Sequence, residues 1–201
     1  MGDPRRPRKK YQRPSHLWKA DRLYPEKELK SRYGLKNMKE LWVLKTELRK
    51  MRRNARSLIA RIAKNDETAE QDKDKLISRL IRLGILNEGA TLEDVLSLSV
   101  ETLLDRRLQT MVFKKGLART IRQARQLIVH GHIAINGKKV TRPGYIVKRG
   151  EEDLISYYKF SPFNEDKHPE RMRIMGVIEE PSEEQPITEE TNPEQGENVA
   201  E

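Results

Sequence analysis

The chain contains no cysteine, which removes a disulfide framework, a cysteine-based zinc site and a thiol nucleophile together. Hydrophobic residues make up only 35% of its 201 residues, against 36% charged, so the apolar core is modest and some segments lie outside it. No apolar run approaches the roughly 18 residues of a membrane span, and no signal-peptide core follows the start. The expectation is a soluble, intracellular chain forming one ordinary domain or two small ones. An anionic membrane surface is a poor partner, because the basic segments lack an aromatic-rich apolar face and any lipidation motif. Catalytic patterns are missing as well. There is no Ser/His/Asp arrangement, no glycine-rich phosphate loop and no pair of carboxylates on a defined frame. No enzyme, cofactor or small-molecule substrate is expected.

What the chain has in excess is positive charge. Its net +10 understates this, because residues 179–201 hold nine acids and neither Lys nor Arg. Residues 1–178 therefore carry 41 Lys and Arg against 22 Asp and Glu, a net of +19. Such a body repels itself unless a polyanion neutralises it, and nucleic acid is the first candidate. Residues 1–20 read as a basic extended arm, with three prolines and seven basic residues against one acid. Tyr11, His16 and Trp18 interleave stacking groups with that charge. Residues 179–201 read as a disordered acidic tail.

Between these ends the pattern is mostly helical. A first helix is expected over residues 25–33, with Pro25 opening it and Gly34 closing it. Asn37 and Glu40 have capping-box spacing for a longer helix. Its stripe is Leu41, Leu44, Leu48, Met51, Ala55, Leu58 and Ile62. Arg49, Arg52, Arg53 and Arg56 lie on its other faces with few acids to pair them. Residues 64–75 read as a loop or a frayed helix start, residues 74–83 as a helix, and Thr91 with Asp94 as the start of a short helix.

One continuous helix is expected over residues 100–113, capped by Ser99. Arg107 falls inside its apolar stripe, and a buried arginine needs an acid or carbonyl partner, so a structural role suits it. Arg106 then shares a face with Gln109, Thr110 and Phe113 and becomes the contact residue. After Lys114, Lys115 and Gly116, Thr120 and Gln123 make a second capping box. Ile121, Ala124, Leu127 and Ile128 pack inward, while Arg122, Arg125 and Gln126 share the opposite face. The helix start beside Arg119 and Arg122 suits a phosphate.

Residues 132–141 read as a β-hairpin, because Asn136-Gly137 is a type I′ signal. Its outward face carries His132, Ala134, Lys139 and Thr141. His130 and His132 lack a third metal ligand at usable spacing, so no metal is expected. Residues 145–147 and 154–156 read as further strands, and residues 159–178 as an irregular extension.

RRLQTMVFKKGLA followed by RQARQLIVHGHIAINGKKV resembles the S4 RNA-binding domain, a helix–helix–hairpin module. The flanks YGLKNMKELWVLKTELRKMRR and LIRLGIL resemble the small-subunit ribosomal protein family that gave the module its name. MGDPRRPRKKYQRP and SPFNEDKHPE tilt this toward its archaeal type. The resemblance implies a primary binder of small-subunit (16S-type) ribosomal RNA in the cytoplasm. It also implies an early role in assembling the subunit body. A further implication is a part in translational accuracy beside neighbouring small-subunit proteins, near where messenger RNA enters. The rival is an RNA-modifying enzyme carrying the same module. Outside the arm, module and tail only about 80 residues remain, too few for a catalytic domain.

The expected fold is α+β: a helical part (21–99), then the module with a small sheet (100–158). The expected RNA contacts are Arg5, Arg6, Arg8, Lys9 and Lys10 of the arm and Arg49, Arg52, Arg53 and Arg56 of the long helix. Within the module they are Arg106, Lys114, Lys115, Arg119, Arg122, Arg125, His132, Lys138 and Lys139.

Overall fold

The structure, a computed structural model, describes residues 9–165 and 168–174. Arg5, Arg6, Arg8 and the acidic tail lie outside the described residues.

The long helix α2, Met38–Ile62, organises the first half. Its stripe faces inward as the spacing predicts: Leu41, Leu44, Leu48, Ala55 and Leu58 are buried. Around it pack α1 (Ala20–Arg32), α3 (Glu67–Arg82), α4 (Leu92–Ser97) and α5 (Val100–Asp105). Tyr33, Leu80, Val95, Leu103 and Leu104 complete this core.

Two boundaries differ from expectation. α1 starts five residues before Pro25 and carries the proline inside it. An interior proline loses one backbone hydrogen bond and crowds the preceding turn. Glu26 offsets this. Its buried carboxylate accepts from Arg22 on the preceding turn and from Lys45 and Trp42 of α2. Arg22 in turn donates to the Leu17 carbonyl, which anchors the earlier turn. α3 begins at Glu67, so the segment expected to be a loop or a frayed helix start is the latter. Asp66 caps it by accepting from the Thr68 N–H at 3.0 Å and holds Arg61 at 2.8 Å. The Thr68 hydroxyl also donates to Asp66, and that bond first, then those from Arg61 and the Thr68 N–H, hold the Asp66 carboxyl down to about 2. The only buried residue in the first two turns is Ala69, too small to register as an apolar stripe.

The helix expected over residues 100–113 is broken in two. Arg106 ends α5, and Arg107 turns to extended backbone at φ −70°, ψ 142° before α6, Leu108–Lys114. The free N–H groups at the start of α6 are taken by a distant segment. Leu108 N–H donates to the Tyr145 carbonyl and Gln109 N–H to the Pro143 carbonyl. Residues 145–147 are therefore not a strand. They spend their polar groups on this break, with one isolated bridge between Ile146 and Arg107.

The second core begins at Leu108 and gathers Val112, Ala124, Leu127, Ile128, Ile133, Ile135, Val147, Ile155 and Tyr157. These come from α6, α7 (Ile121–Val129) and a three-stranded antiparallel sheet. The sheet has order β2-β1-β3, from β1 (Ile133–Ile135), β2 (Lys138–Lys139) and β3 (Ile155–Tyr157). Asn136 and Gly137 both have positive φ, 50° and 71°, as a type I′ hairpin requires. The register sets Ile135 opposite Lys138, as expected from the turn. Ala134 is buried, however, so the hairpin's outward face is not the open floor the alternation suggested. A single 3-10 turn, Pro162–Asn164, and a short helix α8, Pro169–Ile174, follow. The architecture is α+β, with a helical half and a helix–helix–hairpin half.

Candidate nucleic-acid interface

The two halves are joined by a polar clamp. The Glu40 carboxylate, in the first turn of α2, accepts from Arg107 at 2.8 Å and from Arg125 of α7 at 2.6 and 3.2 Å. The Gln109 side-chain amide donates to the carbonyls of Gly34 and Ile121, tying α6 to both neighbours. Burial opposes the charge on Glu40, but the two arginines outweigh it and hold the carboxyl below its ordinary range. The Asn37–Glu40 capping box does not form, because Glu40 is committed to the arginines and Asn37 makes no side-chain cap. At the next helix start Thr120 accepts from the Gln123 N–H, while the Gln123 side chain accepts from the Arg119 N–H rather than from Thr120.

This clamp re-sorts the expected contact residues. Arg107 is buried and structural, with Glu40 as the acid partner its position demanded. Arg106 does not point outward. The break in the helix swings its side chain, 14% exposed, onto Glu152 at 2.5 Å and the Val147 carbonyl at 3.0 Å. Gln109 and Thr110, its supposed surface neighbours, are buried. Arg125 leaves the open face of α7 for Glu40. His132 hydrogen-bonds Ser161 at 2.9 Å and sits edge-on to Phe163. Burial first, then the charges of His130, Lys139 and His168, push its pKa down, which keeps it neutral and structural.

The remaining cations cluster. A hollow of about 540 Å³ opens between α1 and α7, lined by Lys27, Lys30, Lys36, Arg122 and Arg125 together with Ser31, Gly34 and Leu35. No acid lines it. Lys27, Lys30, Lys36 and Arg122 form no ion pair with any described acid. The three lysines are not among the contacts expected from sequence. Their signal was present as an i, i+3 pair on α1 with a third lysine past its end, but only folding sets them against Arg122.

A second hollow of about 450 Å³ is lined by Lys45, Arg49, Arg52 and Arg56 with Leu48 and Val100. Arg52 donates to the Leu98 carbonyl and Arg49 to the Gln12 side chain, neutral partners that leave both charges uncancelled. Arg53 and Arg56 are exposed and unpaired among the described residues. On the module, Lys115 and Lys138 project into solvent without a described partner, Arg119 is exposed, and Lys114 is held by Asp105 at 3.1 Å. Lys139 reaches over the Tyr158 ring at 5.9 Å. Lys9 and Lys10 are exposed at the start of the described residues.

These surfaces can hold a polyanion: hollows lined by cations and by no acid match a phosphate backbone. Comparison with known proteins agrees with the local pattern. A family model described as S4 domain matches residues 106–153, starting at the break between the two cores. The small ribosomal subunit protein uS4 of Methanothermobacter thermautotrophicus is 54% identical over 162 residues, covering 81% of this chain and 93% of that protein. The uS4 protein of Hyperthermus butylicus is 53% identical over 173 residues, covering 86% and 97%. That of Ignicoccus hospitalis is 54% identical over 163 residues, covering 81% and 96%. Identity above one half, across most of this chain and nearly the whole of each relative, means that the chain belongs to the uS4 family of small ribosomal subunit proteins.

Proposed function

We propose that this protein is a non-catalytic structural component of the small ribosomal subunit, located in the cytoplasm within that particle, and that it binds the small-subunit ribosomal RNA. The observation that carries the RNA reading is the acid-free hollow between α1 and α7, where cations from both halves of the fold converge. Arg122, Lys27, Lys30 and Lys36 grip the phosphate backbone there. Arg49, Arg52, Arg53 and Arg56 form a second seat on α2, and Lys114, Lys115, Arg119, Lys138 and Lys139 a third on the module. The arm cations Arg5, Arg6, Arg8, Lys9 and Lys10 add contacts by charge alone. Arg106, Arg125 and His132 drop out as primary contacts because internal partners hold them.

The family supports the finer reading: an early binder that nucleates assembly of the subunit body. Beside neighbouring small-subunit proteins, it also contributes to translational accuracy near the entering messenger RNA.

The test compares the full chain with a Lys27→Ala, Lys30→Ala, Arg122→Ala variant on small-subunit ribosomal RNA across a salt series. Each lost phosphate contact lowers the slope of log affinity against log salt by about 0.7–0.9. A normally folded variant with an unchanged slope removes the hollow from the RNA interface. Retention on the small subunit after a high-salt wash in a sucrose gradient separates a stoichiometric component from a transient factor.

A further inference from the structure

Phe160 keeps 78% of its surface in solvent. A lone exposed apolar ring is ordinary in a folded protein; the surroundings of this one are not. The Tyr158 ring lies 5.6 Å away at 66° to it. Lys159 Nζ stands 5.7 Å from the centre of the Phe160 ring, and Lys139 Nζ 5.9 Å from that of Tyr158. Lys139 and Lys159 are exposed, and neither makes an ion pair with a described acid. Two rings and two uncancelled cations thus share one corner of the module, at the end of the sheet away from the hairpin turn.

The backbone holds this corner firmly. Tyr158 N–H donates to the His132 carbonyl at 2.8 Å, continuing the hydrogen bonding of β3. Two residues after Lys159, Ser161 N–H returns to the Tyr158 carbonyl at 2.8 Å, and the buried Ser161 hydroxyl bonds His132. Phe160 therefore sits on a closed turn whose backbone is tied on both sides, and little loop ordering remains to be done on binding.

We propose that Phe160 and Tyr158 form a stacking seat for an unpaired base of single-stranded RNA, with Lys139 and Lys159 holding the neighbouring phosphates. The inference rests on the RNA-binding reading above and deepens it, because stacking on aromatic rings distinguishes unpaired from paired RNA whereas cationic hollows do not. Charge selects this occupant. A protein partner drawn to one ring would have to desolvate two lysines, while a nucleotide supplies a π face and a phosphate together.

The test uses the full-length protein with two probes, a 12-nucleotide oligoadenylate and a 12-base-pair RNA duplex. Phe160→Leu is expected to weaken binding of the single strand about tenfold. Its salt slope stays unchanged, because no phosphate contact is lost. Phe160→Trp, which keeps a stacking face, restores it. Duplex binding is the same for all three proteins. Equal losses on both probes, no loss on the single strand, or no detectable binding of oligoadenylate by the unaltered protein overturns the proposal. So does a Phe160→Leu protein that binds RNA normally but loses a crosslink to a neighbouring protein in the subunit, which would assign the corner to that protein. Full affinity of Phe160→Leu for small-subunit ribosomal RNA sinks only the stacking seat. Failure of the unaltered protein to bind that RNA sinks the underlying reading itself.

Discussion

Glu40 and Arg125 meet at 2.6 Å although 85 residues separate them in the chain. Arg107 completes the contact from the other side of the carboxylate. One acid thus pairs with two arginines, one of them almost wholly buried, at the seam between the two cores.

Replacing Glu40 by Ala leaves Arg107 as an uncompensated buried charge. Breaking such a pair from one side costs about 3–5 kcal/mol when fully buried. The partial exposure of Glu40 and Arg125 places the expected loss at the lower end, about 2–3 kcal/mol. Urea denaturation reads it directly. A loss under about 0.5 kcal/mol, the range of ordinary surface substitutions, would show that the clamp does not hold the halves together.

Stability should fall in two stages on acidification. His132 has a depressed pKa in the fold, so near neutrality the unfolded chain binds more protons than the native one. Its contribution is complete above the ordinary histidine value of 6.5 and is lost as pH falls through the lowered native value. Glu26 and Glu40 are also depressed: burial opposes their charge, and hydrogen bonds from Lys45, Trp42 and Arg22, or from Arg125 and Arg107, outweigh it. Their contribution is complete above 4.5 and is lost as pH falls further. Thermal midpoints from pH 4 to 8 should therefore decline first below about pH 6.5, and His132→Gln should abolish that first decline alone. A profile unaffected by His132→Gln would rule out the histidine as its source.

Gly84→Ala should destabilise the protein by about 1 kcal/mol or more. Gly84 has φ +65°, and a Cβ there would lie 2.5 Å from the Arg106 guanidinium. That guanidinium is locked to Glu152 and Val147, so it cannot move aside freely. A neutral result by calorimetry would show that Arg106 is mobile, which would reopen it as an RNA contact.

The local features were legible in the sequence. The stripe from Leu41 to Ile62 and the Asn136-Gly137 turn follow from spacing and φ preference alone. Arg107 was legible too, because an arginine in an apolar stripe demands a partner. Its neighbour Arg106 was misread for a related reason. On an unbroken helix it faces outward, and nothing nearby in sequence reveals that residues 143–147 will claim the N–H groups of α6 and interrupt it. Arg125 and the lysines of α1 depend on contacts across tens of residues, which periodicity does not encode. The start of α3 was only half legible, as one of two readings, because Ala69 alone marks its inner face over the first turns.

The break after Arg106 has one more consequence. Because residues 143–147 of the second core close the N-terminus of α6 directly where the first core ends, the halves share a joint rather than a tether. The walls of the hollow between α1 and α7 therefore stand at a set spacing before any RNA arrives. As the RNA seat proposed above, the hollow would act as a fixed gauge: RNA whose phosphates match that spacing would bind without a hinge having to close. RNA that does not match would itself have to deform, and discrimination would fall on the shape of the nucleic acid.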